Sequence, residues 1–106
     1  MSYHTIDAAT RFAAEKYQKN NLFETPLSAL DVYCLLPGQS QKLHTHAGND
    51  KYYVVWQGVA TVQIGDEVRT LNPGEAALAR PGVQHAIANQ GDMPVVALVF
   101  QAPKSF

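Results

Sequence analysis

The chain has 106 residues, of which 46% are hydrophobic and 16% charged, and a formal net charge of −1; this suits a single core and excludes a disordered tail or a coiled coil. No run of like charges supports nucleic-acid binding or docking on an acidic membrane, and no apolar run approaches the roughly 20 residues that a membrane helix needs. The only cysteine, Cys34, excludes a disulfide within the chain and lies in the run Val32-Tyr33-Cys34-Leu35-Leu36, where it reads as a small buried hydrophobe.

From the N-terminus, Met1 to Asp7 shows no basic stretch followed by an apolar one, so no secretory signal is expected and the chain reads as cytoplasmic. After Asp7, a fair N-cap, Ile6, Ala9, Phe12, Ala13 and Tyr17 follow helical spacing while Arg11, Glu15 and Lys19 fall off that stripe. This predicts a short amphipathic helix over about 7–18, covering one end of the fold or making a dimer contact. Beyond it the seven glycines, at 38, 48, 58, 65, 74, 82 and 91, punctuate short apolar or alternating runs. Pro37-Gly38, Gly65-Asp66, Asn72-Pro73-Gly74, Pro81-Gly82 and Gly91-Asp92 are good turn chemistry. The runs between them, Tyr52–Trp56, Val59–Ile64, Glu75–Ala79, Val83–Ala88 and Val95–Phe100, are rich in β-branched and aromatic residues and predict strands. Short strands at such regular intervals point to an all-β sandwich or barrel over about 20–102, with residues 1–106 forming a single domain.

Three of the four histidines lie in two compact clusters: His44-Thr45-His46 after the Pro37-Gly38 turn, and His85 after Pro81-Gly82. Residues i and i+2 of an extended strand share a face about 7 Å apart. His44 and His46 can therefore aim two imidazoles at one point, and a third from a facing strand would make a half-shell of neutral nitrogen donors with open positions. A His-x-His pair alone is also compatible with a solvated or core pair.

The surroundings narrow that choice. Gly38, five residues, His44-Thr45-His46, four residues, Lys51, six residues and Gly58 form one pattern; Gly74, Arg80-Pro81-Gly82, two residues, His85, three residues and Asn89 form a second. Together, in this order, they resemble the two motifs of the cupin superfamily, in its small single-domain form. Lys51 stands where the first motif usually has glutamate, and Arg80 where the second usually has proline. The resemblance implies an antiparallel jelly-roll (double-stranded β-helix) barrel, usually a homodimer, binding one divalent metal (Zn, Fe, Mn, Ni or Cu) through His44, His46 and His85. The fourth ligand does not carry over.

A protonated lysine has three donors and no lone pair, so Lys51 cannot ligate a cation as an ammonium. Three arrangements meet this. Lys51 turns away and pairs with a carboxylate such as Asp50, which is the expectation; or it stays in the pocket as a base or amine nucleophile; or the metal is lost and the pocket binds an anion. Strand alternation puts Lys51, Tyr53 and Val55 on one face and Asp50, Tyr52 and Val54 on the other, with Asp50 outside. Tyr53 is then a pocket or core residue. Asn89, which shares a face with His85 and Ile87, is counted with the pocket, although in this motif turn hydrogen bonding suits it better than catalysis. Trp56 is expected at packing or a dimer contact, Arg80 at the surface and His4 in solvent.

The expected function is a metal-binding domain for a small, anionic organic ligand or substrate; if it is an enzyme, it would be a metal-dependent oxidoreductase, dioxygenase or isomerase. The alternative is a non-catalytic small-molecule binding or sensing module, metal-free, with Lys51 in the pocket. No residue is assigned a catalytic role, and neither nucleic acid nor membrane is expected as a partner.

Overall fold

A computed structural model describes residues 2–104. Eight strands, β1 (Gln18–Glu24), β2 (Ala29–Leu35), β3 (Asp50–Gln57), β4 (Ala60–Ile64), β5 (Glu67–Leu71), β6 (Ala76–Ala79), β7 (His85–Ala88) and β8 (Val95–Ala102), follow a short 3-10 turn at Asp7–Ala9. They form two antiparallel sheets, ordered β1-β2-β8-β3-β6 and β5-β4-β7. Tyr33, Leu35, Tyr53, Val55, Val62, Ile87, Val95, Ala97 and Val99 fill the space between the sheets as one buried cluster. These side chains recur at every second position, which is why each strand contributes one face to the core. The all-β jelly-roll reading is thus borne out.

The helix expected over about 7–18 does not form. Only Asp7–Ala9 makes a single 3-10 turn, and Thr10 is already extended at φ −87°, ψ 99°. Asn20 Nδ2 donates to the carbonyls of Ala9 (2.8 Å) and Arg11 (3.1 Å), and Gln39 Nε2 donates to Ala13 O (2.7 Å). These side chains take carbonyls that a helix would have used, so the segment is satisfied without intrahelical bonds. The apolar stripe is real but packs flat: Ile6, Ala9 and Phe12 lie with Val32, Cys34, Val96 and Leu98 on the outer face of the larger sheet. That cover explains why β2 is apolar without alternation, since both its faces are buried. Cys34 is buried there, as expected.

One glycine is fixed by space as well as by angle. Gly58, in the turn between β3 and β4, has φ +78°, and a Cβ there would lie 2.3 Å from the carbonyl oxygen of Pro94.

Candidate metal centre

The connection 36–49 brings the first histidine pair to the second cluster. It runs antiparallel along β7: Gly38 N donates to Asn89 O, Gln41 N to Ile87 O, and His44 and His85 exchange both backbone bonds, at 3.1 and 2.8 Å. Such a reciprocal pair places two residues directly opposite each other. Gly82 N donates to His46 O at 2.8 Å, which anchors the second histidine to the Pro81-Gly82 turn. The ring centroids of His44 and His85 are 4.3 Å apart, those of His44 and His46 4.9 Å, and those of His46 and His85 5.5 Å.

Hydrogen bonding orients the rings for ligation. His44 Nδ1 donates to Lys42 O at 2.7 Å and His85 Nδ1 to Val83 O at 2.9 Å. With the proton on Nδ1, each Nε2 presents a lone pair, the arrangement found where histidine binds metal. His85 is 1% exposed and its Nε2 is buried with no hydrogen-bond partner. An orphaned buried acceptor is costly, and a cation beside it removes that cost. One nitrogen from each of the three histidines lies within 4.8 Å of the other two. Tetrahedral bonds of about 2.1 Å need nitrogens about 3.4 Å apart, so ring rotations that close the set by about an ångström suffice. The residues fit a divalent ion.

Burial holds His46 below its ordinary value, aided by the charge of Lys51. His85 falls further, to about 4, again chiefly by burial, opposed by its bond to Val83 and reinforced by Lys51. Both rings are therefore neutral, the form that ligates, under ordinary conditions.

Lys51 does not turn outward to pair with Asp50. It is 2% exposed, faces inward from β3 with Tyr53 and Val55, and lines the cavity that holds His44 and His46. Its Nζ sits 5.5 Å from the ring centroid of Tyr33 and 5.7 Å from that of Tyr53, a cation–π position for the ammonium form. Alternation explains the correction: β3 keeps its period through Lys51, and the adjoining strands hold it in register opposite Ala79 and Gln101. Among the described residues Nζ has no hydrogen-bond or ion-pair partner. Desolvation lowers its pKa to about 8, with Lys19 adding to the effect and Asp31 opposing it.

Tyr53 lies beneath the cavity rather than in its wall: it is fully buried and its hydroxyl donates to Gln41 Oε1 at 2.6 Å. Asn89 does not line the cavity that holds His44, His46 and Lys51. Its amide donates to Leu35 O (2.9 Å) and Met93 O (2.8 Å) and its Oδ1 accepts from Gly91 N, so its whole capacity goes to fixing the turn after β7. The cavity, about 390 Å³, is lined additionally by Tyr17, Lys19, Asp31, Tyr33, Gln41 and Lys42. The sequence reading missed these. The inward period of β2, Asp31-Tyr33-Leu35, could have found two of them, whereas Gln41 lies in irregular chain and carried no signal.

The model of the Cupin domain family matches residues 21–101. The chain is a cupin. Its fold agrees with several solved structures. TT1209 from Thermus thermophilus is 37% identical over 99% of this cupin and 100% of that chain, with a TM-score of 0.95. An uncharacterized protein with a double-stranded β-helix domain from Klebsiella pneumoniae is 27% identical over 97% of this cupin and 90% of that chain, at 0.90. An RmlC-like cupin from Desulfovibrio desulfuricans, 24% identical over 97% of both chains at 0.83, agrees in fold alone. None of the curated proteins matches this cupin.

Proposed function

We propose that this cupin binds one divalent metal through His44, His46 and His85 and receives a small anionic organic molecule in the adjoining cavity. The observation that carries this is the buried, partnerless Nε2 of His85, set against two further histidine nitrogens in a region where the backbone already fixes the rings. A three-nitrogen set leaves coordination positions open, and such an ion supplies Lewis-acid activation or oxygen chemistry when bound. The cavity wall has three lysines, Lys19, Lys42 and Lys51, against one aspartate, Asp31, which supports an anionic rather than a cationic ligand. A second reading, a catalytically silent binding module without metal, is favoured by the inward position of Lys51 alone.

The homodimer belongs to the same proposal. Tyr52, Leu78 and Phe100 lie opposite one another across β6, β3 and β8, and with Trp56, 54% exposed, they form an apolar strip on the outer face of the larger sheet. A second copy laid on that strip would cover it. A cytoplasmic location remains part of this reading; no helix among the described residues is long and apolar enough to cross a membrane.

Elemental analysis of protein purified without an affinity tag or chelator tests the metal site, with His46→Ala as control. Near-stoichiometric metal that disappears in the variant is expected. Metal well below one per chain, unchanged in the variant and not restored by added ions, overturns the reading in favour of the metal-free module.

A further inference from the structure

Lys51 poses a charge problem that the histidines sharpen. Three neutral imidazoles leave a divalent ion with its full charge, and an ammonium in the same cavity adds to it. Like charges repel more strongly the less water lies between them, and a divalent ion doubles the repulsion that a single charge would feel. One acid, Asp31, lines the cavity and offsets this only in part: it makes no ion pair with Lys51, and its Oδ1 accepts from Asn21 Nδ2 at 3.0 Å. A second group also awaits an anion. Tyr33 Oη accepts from Gln41 Nε2, whose own Oε1 is taken by Tyr53, so the Tyr33 hydroxyl proton has no acceptor among the described residues. The cavity thus contains an amine without a hydrogen-bond or ion-pair partner, a hydroxyl donor without an acceptor, and a ligand set without a negative charge. One carboxylate carried on Nζ answers all three.

We propose that Lys51 is a carbamylation site, at which Nζ adds to carbon dioxide and the resulting carboxylate completes the metal set of His44, His46 and His85. This rests on the metal-binding reading above. In the step, the lone pair of the neutral amine forms an N–C bond to the CO2 carbon, one C=O pair moves onto oxygen, and one amine proton passes to solvent. No electrons are transferred and no other reactant is needed. The side chain changes from a cation without lone pairs to a carboxylate with acceptor oxygens, the group an ion requires. It also grows by two bonds of about 1.3 and 1.2 Å beyond Nζ, into the cavity that His44 and His46 line. Lys51 lines the same cavity as His44 and His46, so the extended side chain stays beside two of the three candidate ligands. Burial favours the neutral amine that the addition consumes, in the same direction as its lowered basicity.

The test uses the full chain, stripped of metal by a chelator that is then removed, and titrated with Zn2+ in CO2-free buffer and in 13C-bicarbonate. A bound carbamate carbon at one per chain is expected by 13C NMR in the loaded protein and not in Lys51→Arg. Bicarbonate should tighten Zn2+ binding by about tenfold or more, since changes merely behind a ligand already move affinity by about 10–100-fold. Lys51→Glu, with its carboxylate built in, should bind Zn2+ equally well in both buffers, which also controls for Zn2+–carbonate complexes in solution. Stoichiometric Zn2+ binding by the native chain that ignores bicarbonate and shows no bound 13C overturns carbamylation and leaves the three-histidine site standing. Zn2+ binding by Lys51→Glu alone overturns carbamylation too, because the lysine would then simply repel the ion. Failure of native chain and Lys51→Glu alike removes the metal reading and this inference with it.

Discussion

Replacing Lys51 with methionine should stabilise the metal-free protein at neutral pH, although it deletes a residue from the site. The two side chains have similar length, and a thioether packs well against the Tyr33 and Tyr53 rings that now face Nζ. Burial lowers the lysine pKa from 10.5 to about 8. At about 1.4 kcal/mol per factor of ten in acidity, holding the ammonium costs the fold about 3 kcal/mol at pH 7. Cation–π attraction from two rings returns about 0.5–2 kcal/mol of that. The variant should therefore gain about 1–2.5 kcal/mol, a shift on the order of 1 M in urea midpoint. The sign with pH follows from linkage: between the folded value near 8 and the unfolded value of 10.5 the unfolded chain binds more protons, so native stability rises with pH across that window. The advantage of the variant should shrink by about 2 kcal/mol between pH 7 and 9.5. Desolvation raises the pKa of Tyr33 and of Tyr53, but both tyrosines are present in both proteins, so their effect cancels in the difference. Urea unfolding of both proteins at four pH values, in CO2-free chelator, measures it. A variant equal to or weaker than the native chain at pH 7, with a difference that does not vary with pH, would refute the claim that Lys51 is a buried cation.

Other expectations follow from single contacts. Gly58→Ala must place a Cβ against Pro94 O with φ in the left-handed region, and should lose at least about 2 kcal/mol in urea unfolding; a loss below about 0.5 kcal/mol would mean that the turn relaxes freely. Tyr53→Phe leaves the buried Gln41 Oε1 without its donor and should cost about 1–3 kcal/mol, most of it recovered when Gln41→Leu is added; the double variant tests whether the loss comes from the hydrogen bond or from packing. Asn89→Ala should destabilise the fold by a similar amount while leaving metal content unchanged, because its amide ties Leu35 and Met93 rather than facing the cavity. Leu78→Glu, on the apolar strip, should convert a dimer into a monomer in sedimentation velocity; an unchanged sedimentation coefficient would place the contact elsewhere.

The histidine triad was legible because two signals coincided: a His-x-His pair and a lone histidine, each behind a Pro-Gly turn. What aligns them is less visible. His44 and His46 lie in irregular chain, and the ladder along β7 rather than a strand of their own brings them together. The inward face of β3 was readable from alternation, and the structure follows it against the chemical expectation that a lysine would leave the pocket. The N-terminal segment misled for a definite reason. Its helical spacing reflects three residues packing on a flat sheet, while Asn20 and Gln39, distant in sequence, take the carbonyls that decide between helix and extended chain. β1, β2 and β5 escaped because β1 is largely polar, β2 is buried on both faces and β5 is mostly exposed, so none alternates cleanly. Turn chemistry reports on neighbours along the chain; cavity walls are assembled across it.

The reciprocal backbone bonds between His44 and His85 bear on how an ion would arrive. They join points 41 residues apart in sequence using amides and carbonyls alone, and the core beneath them is apolar. An ion is thus not needed to recruit the distant segments, unlike in small metal-dependent folds that collapse around their cation. Cells starved of the metal would accumulate finished, vacant barrels, and later supply would fill them without any refolding. Occupancy would then record the metal available after synthesis, not the conditions under which the chain first folded.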